Sequence, residues 1–204
     1  MPSERLRARD GPPRAGDLTL RRASHRDLPR LVRHRRRMWR EIGRWSEAEL
    51  DRADLAYARW VRRELAAQRF LALIVEDRAH RPAGSGALWF APAQPRPGRL
   101  ARPAMPYILS MYTEPAFRRR GVASRLVEGL VGIAQRRGYG RVTLHASRAG
   151  RSVYERLGFE GTNEMRIELP VRRASGRRAA PASARPSPRA RPGSARRPKR
   201  SGRR

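Results

Sequence analysis

At 204 residues the chain has room for one domain with a substantial buried core and flanking tails. It contains no cysteine, which excludes disulfides, Cys-ligated zinc and a covalent acyl-cysteine intermediate. The formal charge of +30 has the sign of a nucleic-acid binder, but only Lys199 among the 48 basic residues is lysine. A chain this rich in Arg, Ala, Pro and Gly bears the mark of a GC-rich coding sequence, so charge alone names no partner.

Residues 1–16 show no apolar pattern and are expected to be disordered, ahead of a folded domain over 17–170. The longest apolar run, 70–75, is too short to cross a bilayer; neither export nor membrane insertion is signalled, and a cytoplasmic protein is expected. Residues 18–22 predict a short strand. Ser24 with Asp27 three residues on marks a helix start, and Leu28, Leu31, Val32, Met38 and Ile42 form the apolar stripe of a helix that Gly43 ends. Ser46 with Glu49 repeats the capping pattern and opens a second helix with Leu50, Tyr57, Trp60, Val61 and Leu65 along one side. Residues 70–76 and 84–91 predict a hairpin, and 92–103 a Pro-rich loop before a strand over 107–113.

Val122, Leu126, Leu130, Ile133 and Ala134 fit the buried face of the next helix, which Gly138 caps, and 142–146 alternate as a strand. The unit 107–146 therefore predicts a right-handed strand–helix–strand crossover with an anion site at the first strand's carboxyl end. A short helix over 150–157 and a strand over 164–169 complete an α+β domain. Residues 171–204 hold 13 of the basic residues and no acid, and predict a disordered tail. Such a tail can meet nucleic-acid phosphates through charge, although it has no aromatic ring to stack on a base, and a tolerated solvated extension is the simpler reading.

The chemistry-bearing motifs lie in that crossover and after it. Arg118, Arg119, Arg120, Gly121, Val122 and Ala123 read R-x-x-G-x-A at the strand-to-helix junction. A helix start leaves its first N–H groups unpaired and partly positive, and Gly121 lets that backbone approach an anion such as pyrophosphate. By itself the motif also fits a plain capped helix start. Downstream, Ser147 opens S-R-A-G-R-S-V-Y-E-R-L-G-F, in which a short helix presents Tyr154 and stops at Gly158.

Together the two segments resemble the GNAT superfamily of N-acetyltransferases, over about residues 17 to 170. Residues 111–115 (MYTEP) and 162–165 (TNEM) are similar to phrases of a bacterial subgroup of these enzymes. The resemblance implies a mixed, mostly antiparallel central sheet flanked by helices, acetyl-CoA as cosubstrate, no metal, and direct transfer to a primary amine in a ternary complex. It implies that Arg119 to Ser124, with Arg120, Gly121, Val122 and Ala123 between, supply the pyrophosphate amides while Arg118 and Arg119 add charge. It further implies that Met111, Tyr112 and Thr113 lie along the pantetheine arm, with a backbone N–H there meeting the thioester oxygen. Tyr154 is then the general acid for the leaving sulfur, against the alternative of a tyrosine packed on the sheet. Ser147 stands where many members have Asn, and Gly150 where they have Ala, which weakens the helix start.

Glu114, at the end of the strand, is the candidate base, or else an idle acid favourable to the helix dipole. Glu76 and His145 are weaker candidates; His25, His34 and His80 fall on predicted surface elements without metal-ligand spacing. Trp39, Trp45, Tyr57, Trp89, Phe90 and Tyr107 are candidate walls of an acceptor cleft, each equally explained by core packing. The acceptor is not legible, and a homodimer stays open. Two other readings remain at this stage: an RNA- or ribosome-associated basic protein on the same scaffold, and an acyl-CoA-binding regulator without turnover.

Overall fold

The computed structural model describes residues 18–95 and 104–167; the segments expected to be disordered at 1–16 and 171–204, and most of the 92–103 loop, lie outside the described residues. The elements are β1 (Thr19–Arg22), α1 (Leu28–Ile42), α2 (Glu47–Ala66), β2 (Phe70–Glu76), β3 (Pro82–Pro92), β4 (Ala104–Thr113), α3 (Val122–Arg136), β5 (Thr143–Leu144) and α4 (Arg151–Arg156). The described strands form one sheet in the order β1-β2-β3-β4-β5, in which only the β4–β5 pair is parallel. A parallel pair cannot be joined by a hairpin, and α3 is the crossover that joins this one.

Both expected helix starts form capping boxes. The Ser24 hydroxyl accepts from the Arg26 N–H while the Asp27 carboxylate accepts from the Ser24 N–H, and a single 3-10 turn leads into α1. Ser46 and Glu49 make the same exchange ahead of α2. Each such cap is worth about 1 kcal/mol.

β2 explains where the core sits. All seven of its residues are buried, because the sheet is covered on both faces, and the strand reads accordingly as an unbroken apolar run up to its last residue. Leu71, Leu73 and Val75 pack with Val122, Leu126, Val127, Leu130 and Ala134 of α3. Phe70, Ala72 and Ile74 face the other way, toward Leu28 and Leu31 of α1 and Tyr57 and Val61 of α2.

Two expectations are corrected. The strand expected over 164–169 does not form across residues 164–167, where Met165 and Ile167 are 94% and 78% exposed; residues 168 and 169 lie outside the described residues. Alternation is present there, but without a partnered edge to bury its apolar side the pattern makes no strand. Glu76 is not placed to act as a base, because it is buried in an ion network. Its carboxylate accepts from Arg21 Nε at 2.9 Å and from Arg30 Nη1 at 2.8 Å, and Arg21 also bonds Asp27. Hydrogen bonding to Arg21 holds both Asp27 and Glu76 below the usual carboxylate range.

Candidate active site

The site begins with a register break. Ser85 pairs with Tyr112 but Ala87 pairs with Leu109, so β4 carries one more residue than β3 across this stretch, and Ser110 absorbs it at φ 53°. The Tyr57 hydroxyl is hydrogen-bonded to the Ser110 side chain. β4 pairs with β5 only at Tyr107 and Ile108, which leaves the 109–113 edge of β4 without a β5 partner. A cleft of about 630 Å3 opens there, bounded by β4, the start of α3, the C-terminal part of α1 and α4.

Beyond β4 the chain makes one 3-10 turn at Pro115–Phe117 and enters α3 through Arg119 and Gly121, at φ 61° and 77°. Gly121 is the N-cap, and no side chain caps the helix start behind it. A Cβ built on Gly121 meets no protein atom within 4 Å, so the space it would take belongs to the cleft. Gly84 is needed for the opposite reason. A Cβ there would stand 2.6 Å from the Tyr112 carbonyl oxygen and 2.8 Å from Val122 Cγ1, so only glycine lets β3 lie this close under the site.

Met111, Tyr112, Thr113, Arg118, Arg119, Gly121, Val122, Ala123, Ser124, Ser147 and Tyr154 all line this one cleft. Arg120 turns elsewhere, its guanidinium 5.8 Å from the centre of the Phe117 ring. Arg118 reaches across to α1, donating to Glu41 Oε1 at 2.5 Å and to the Thr113 carbonyl at 3.2 Å. Arg119 has no hydrogen-bond or ion-pair partner among the described residues and carries the uncommitted positive charge of the turn.

Glu114 lies just outside the lining. Its carboxylate pairs with Arg37, and His34 Nε2 stands 3.3 Å away. His34 Nδ1 is 2.8 Å from Ser85 Oγ, and its ring packs on Tyr112 with centroids 5.3 Å apart. His34 is therefore not on a surface element, as its sequence context had indicated, but 1% exposed between α1, β3 and β4. Burial first, then Arg37, Arg33 and Arg30, push its pKa down to about 4. The ring is neutral, and Nε2–H donates to the carboxylate while Nδ1 accepts from the Ser85 hydroxyl.

Tyr154 comes from α4 and packs edge-on against Phe159, centroids 5.9 Å apart. Burial pushes its phenol up, which keeps it protonated. Ser147 Oγ accepts from the Gly150 N–H at 3.2 Å. A Cβ on Gly150 would lie 3.1 Å from Tyr154 Cε2 and 3.3 Å from Ser147 Oγ, so the bare α-carbon makes room for this ring position.

A parallel strand pair that separates, a helix start with no side-chain cap beyond it and Tyr154 thus line one cleft. Residues 29–159 match the model of the acetyltransferase (GNAT) family. The chain belongs to the GNAT family. A GCN5-related N-acetyltransferase from Ralstonia eutropha shares 27% identity, with 74% of this chain and 98% of that one covered at a TM-score of 0.67. A predicted acetyltransferase from Clostridium acetobutylicum, solved with acetyl-CoA, shares 29% identity, covering 75% and 96% at 0.66. A Trypanosoma brucei acetyltransferase shares 28%, covering 75% and 100% at 0.54. No curated protein matches the chain.

In this GNAT domain the cleft lining also includes residues the sequence did not assign to the site, among them Met38, Glu41 and Ile42 of α1 and Phe117. For Met38 and Ile42 the signal was the apolar stripe, which reads the same whether it faces core or cleft; Glu41 had none. Of the other base candidates, His145 Nδ1 is hydrogen-bonded to the Tyr107 hydroxyl. The aromatic set divides. Tyr57, Phe70 and Trp89 pack around Trp60, with Trp89 Nε1 donating to Glu64, whereas Phe90 belongs to the α3 side of the sheet. Trp39 and Trp45 meet edge to face at 5.8 Å. No helix among the described residues is long and apolar enough to cross a membrane. No cluster of metal-ligating side chains occurs among the described residues.

Proposed function

We propose that this chain is an acetyl-CoA-dependent N-acetyltransferase that acetylates a primary amine by direct attack in a ternary complex. The observation that carries the reading is the convergence of the unpartnered β4 edge, the Gly121 turn and Tyr154 on one cleft. The Clostridium relative solved with acetyl-CoA supports the choice of cosubstrate.

The chain's own groups divide the work. The first amides of α3 and Arg119 bind the pyrophosphate, and the space beside Gly121 receives it. The β4 edge at Met111, Tyr112 and Thr113 offers backbone groups to the pantetheine arm and an N–H to the developing oxyanion. Tyr154, held protonated, gives its proton to the departing thiolate. Glu114, paired with Arg37, takes the proton of the attacking ammonium, directly or through water.

The test is release of free CoA thiol over a broad panel of amines. Release that needs both acetyl-CoA and one class of amine is expected. Binding of acetyl-CoA without release from any amine would instead identify a regulator that reads acyl-CoA and does not turn it over.

A further inference from the structure

The inward stripe of α1 contains a charge that packing does not ask for. Leu28, Leu31, Arg35, Met38 and Ile42 recur at spacings of three and four, so Arg35 occupies a position between two core leucines and two cleft-lining residues. Its guanidinium lies 4.4 Å from the centre of the Tyr57 ring and 5.3 Å from that of Trp39. Nη1 is buried and has no hydrogen-bond partner among the described residues. Asp54, the acid that acts on it through space, is bonded to Arg36 Nη1 at 2.7 Å. Desolvation by burial accordingly lowers the pKa of Arg35. A leucine would fill the stripe at no such cost, since a half-buried guanidinium with one nitrogen out of water and unbonded pays for its desolvation.

The position indicates what the charge is for. Arg35 stacks on Tyr57, whose hydroxyl bonds Ser110 in the β4 bulge, next to Met111 in the cleft. Arg119 and Gly121 of the proposed phosphate turn line the cleft and Arg35 does not, so the anion that meets Arg35 is not the pyrophosphate held there. We infer that the acceptor amine carries a second, anionic group, a carboxylate or a phosphate, which pairs with Arg35 between Tyr57 and Trp39. This rests on the N-acetyltransferase reading above. Arg35 binds the acceptor; it takes no part in the bond changes.

The test compares matched acceptors in the thiol-release assay, within a broad amine panel: L-phenylalanine against L-phenylalaninamide for a carboxylate, and glucosamine 6-phosphate against glucosamine for a phosphate. The parent should favour one anionic member over its neutral partner by about tenfold or more in kcat/KM, and the pair that responds names the anion. Arg35→Leu should abolish that preference while leaving the KM for acetyl-CoA unchanged and the thermal midpoint equal or higher, since an apolar residue relieves the buried charge. Arg35→Gln, which keeps the length without the charge, should do the same and serves if the leucine variant does not fold. Equal turnover of the members of both pairs, or a preference that survives both substitutions, overturns the inference and leaves acetyl transfer intact. Acetyl-CoA binding without release from any amine overturns the transfer reading and this one with it.

Discussion

His34 Nε2 lies 3.3 Å from Glu114 Oε1, and the pair joins the buried face of α1 to the residue that follows β4 beside the cleft. On its other side the neutral His34 ring accepts from the Ser85 hydroxyl, and burial disfavours a second proton. The folded pKa of about 4 therefore has a consequence for stability. An unfolded histidine titrates near 6.5, so between about 6.5 and 4 the unfolded chain binds more protons than the folded one. Stability due to His34 is present above that window and is lost as pH falls through it, by up to about 3 kcal/mol. Chemical denaturation at intervals across the window should show the decline, and His34→Gln should flatten it. A parent curve already flat there would contradict a neutral buried ring.

Glu114→Gln keeps the size of the side chain and an acceptor for His34, and removes the charge paired with Arg37. If Glu114 takes the proton from the amine, kcat/KM for the acceptor should fall by roughly 10²–10⁴-fold with acetyl-CoA binding retained. Single-turnover assays decide this. Unchanged turnover would reassign Glu114 as the partner that fixes α1 to β4.

Tyr154→Phe deletes one hydroxyl and preserves the contact with Phe159. A general-acid role predicts a loss of roughly 10²-fold in kcat, with acetyl-CoA affinity intact. Turnover equal to the parent, measured where chemistry limits the rate, leaves Tyr154 as a packed ring.

Gly84→Ala tests the closeness of β3 and β4 under the site. The new methyl would meet the Tyr112 carbonyl at 2.6 Å, a backbone atom that cannot turn aside, so the strands must part. Destabilisation of about 1–3 kcal/mol is expected, together with weaker acetyl-CoA binding because the β4 edge moves. Calorimetry on the free and liganded variant separates the two effects, and a variant as stable as the parent would show that the strands yield freely.

Local signals in the sequence were sufficient for much of this. Ser24 and Ser46 announced their helices because capping is settled within four residues, and β2 announced itself because a strand covered on both faces has no polar alternation to hide in. Gly121 was legible for a similar reason, its conformation and its neighbours being consecutive. What escaped depends on distant partners. The Arg118–Glu41 and Glu114–His34 contacts link positions nearly eighty residues apart, and the extra residue at Ser110 is visible only once β3 is laid beside β4. The final strand failed in the opposite sense across residues 164–167, where the local pattern was present and the pairing was not.

Binding of acetyl-CoA at the Gly121 turn is the claim on which the rest stands, and thermal unfolding with and without acetyl-CoA tests it most directly. At one hundred times its Kd the ligand adds about 2.7 kcal/mol, a rise of several degrees in midpoint, and pyrophosphate at matched ionic strength should give far less because it has nothing to lay along β4. Gly121→Asp puts a side chain and a negative charge into the open space beside the helix start. Since φ is 77° there, Gly121→Asn is the control, as it carries a similar backbone strain without the charge. The shift should vanish in Gly121→Asp and survive in part in Gly121→Asn, with both variants folded. An acetyl-CoA shift in Gly121→Asp equal to that of the parent would contradict the site.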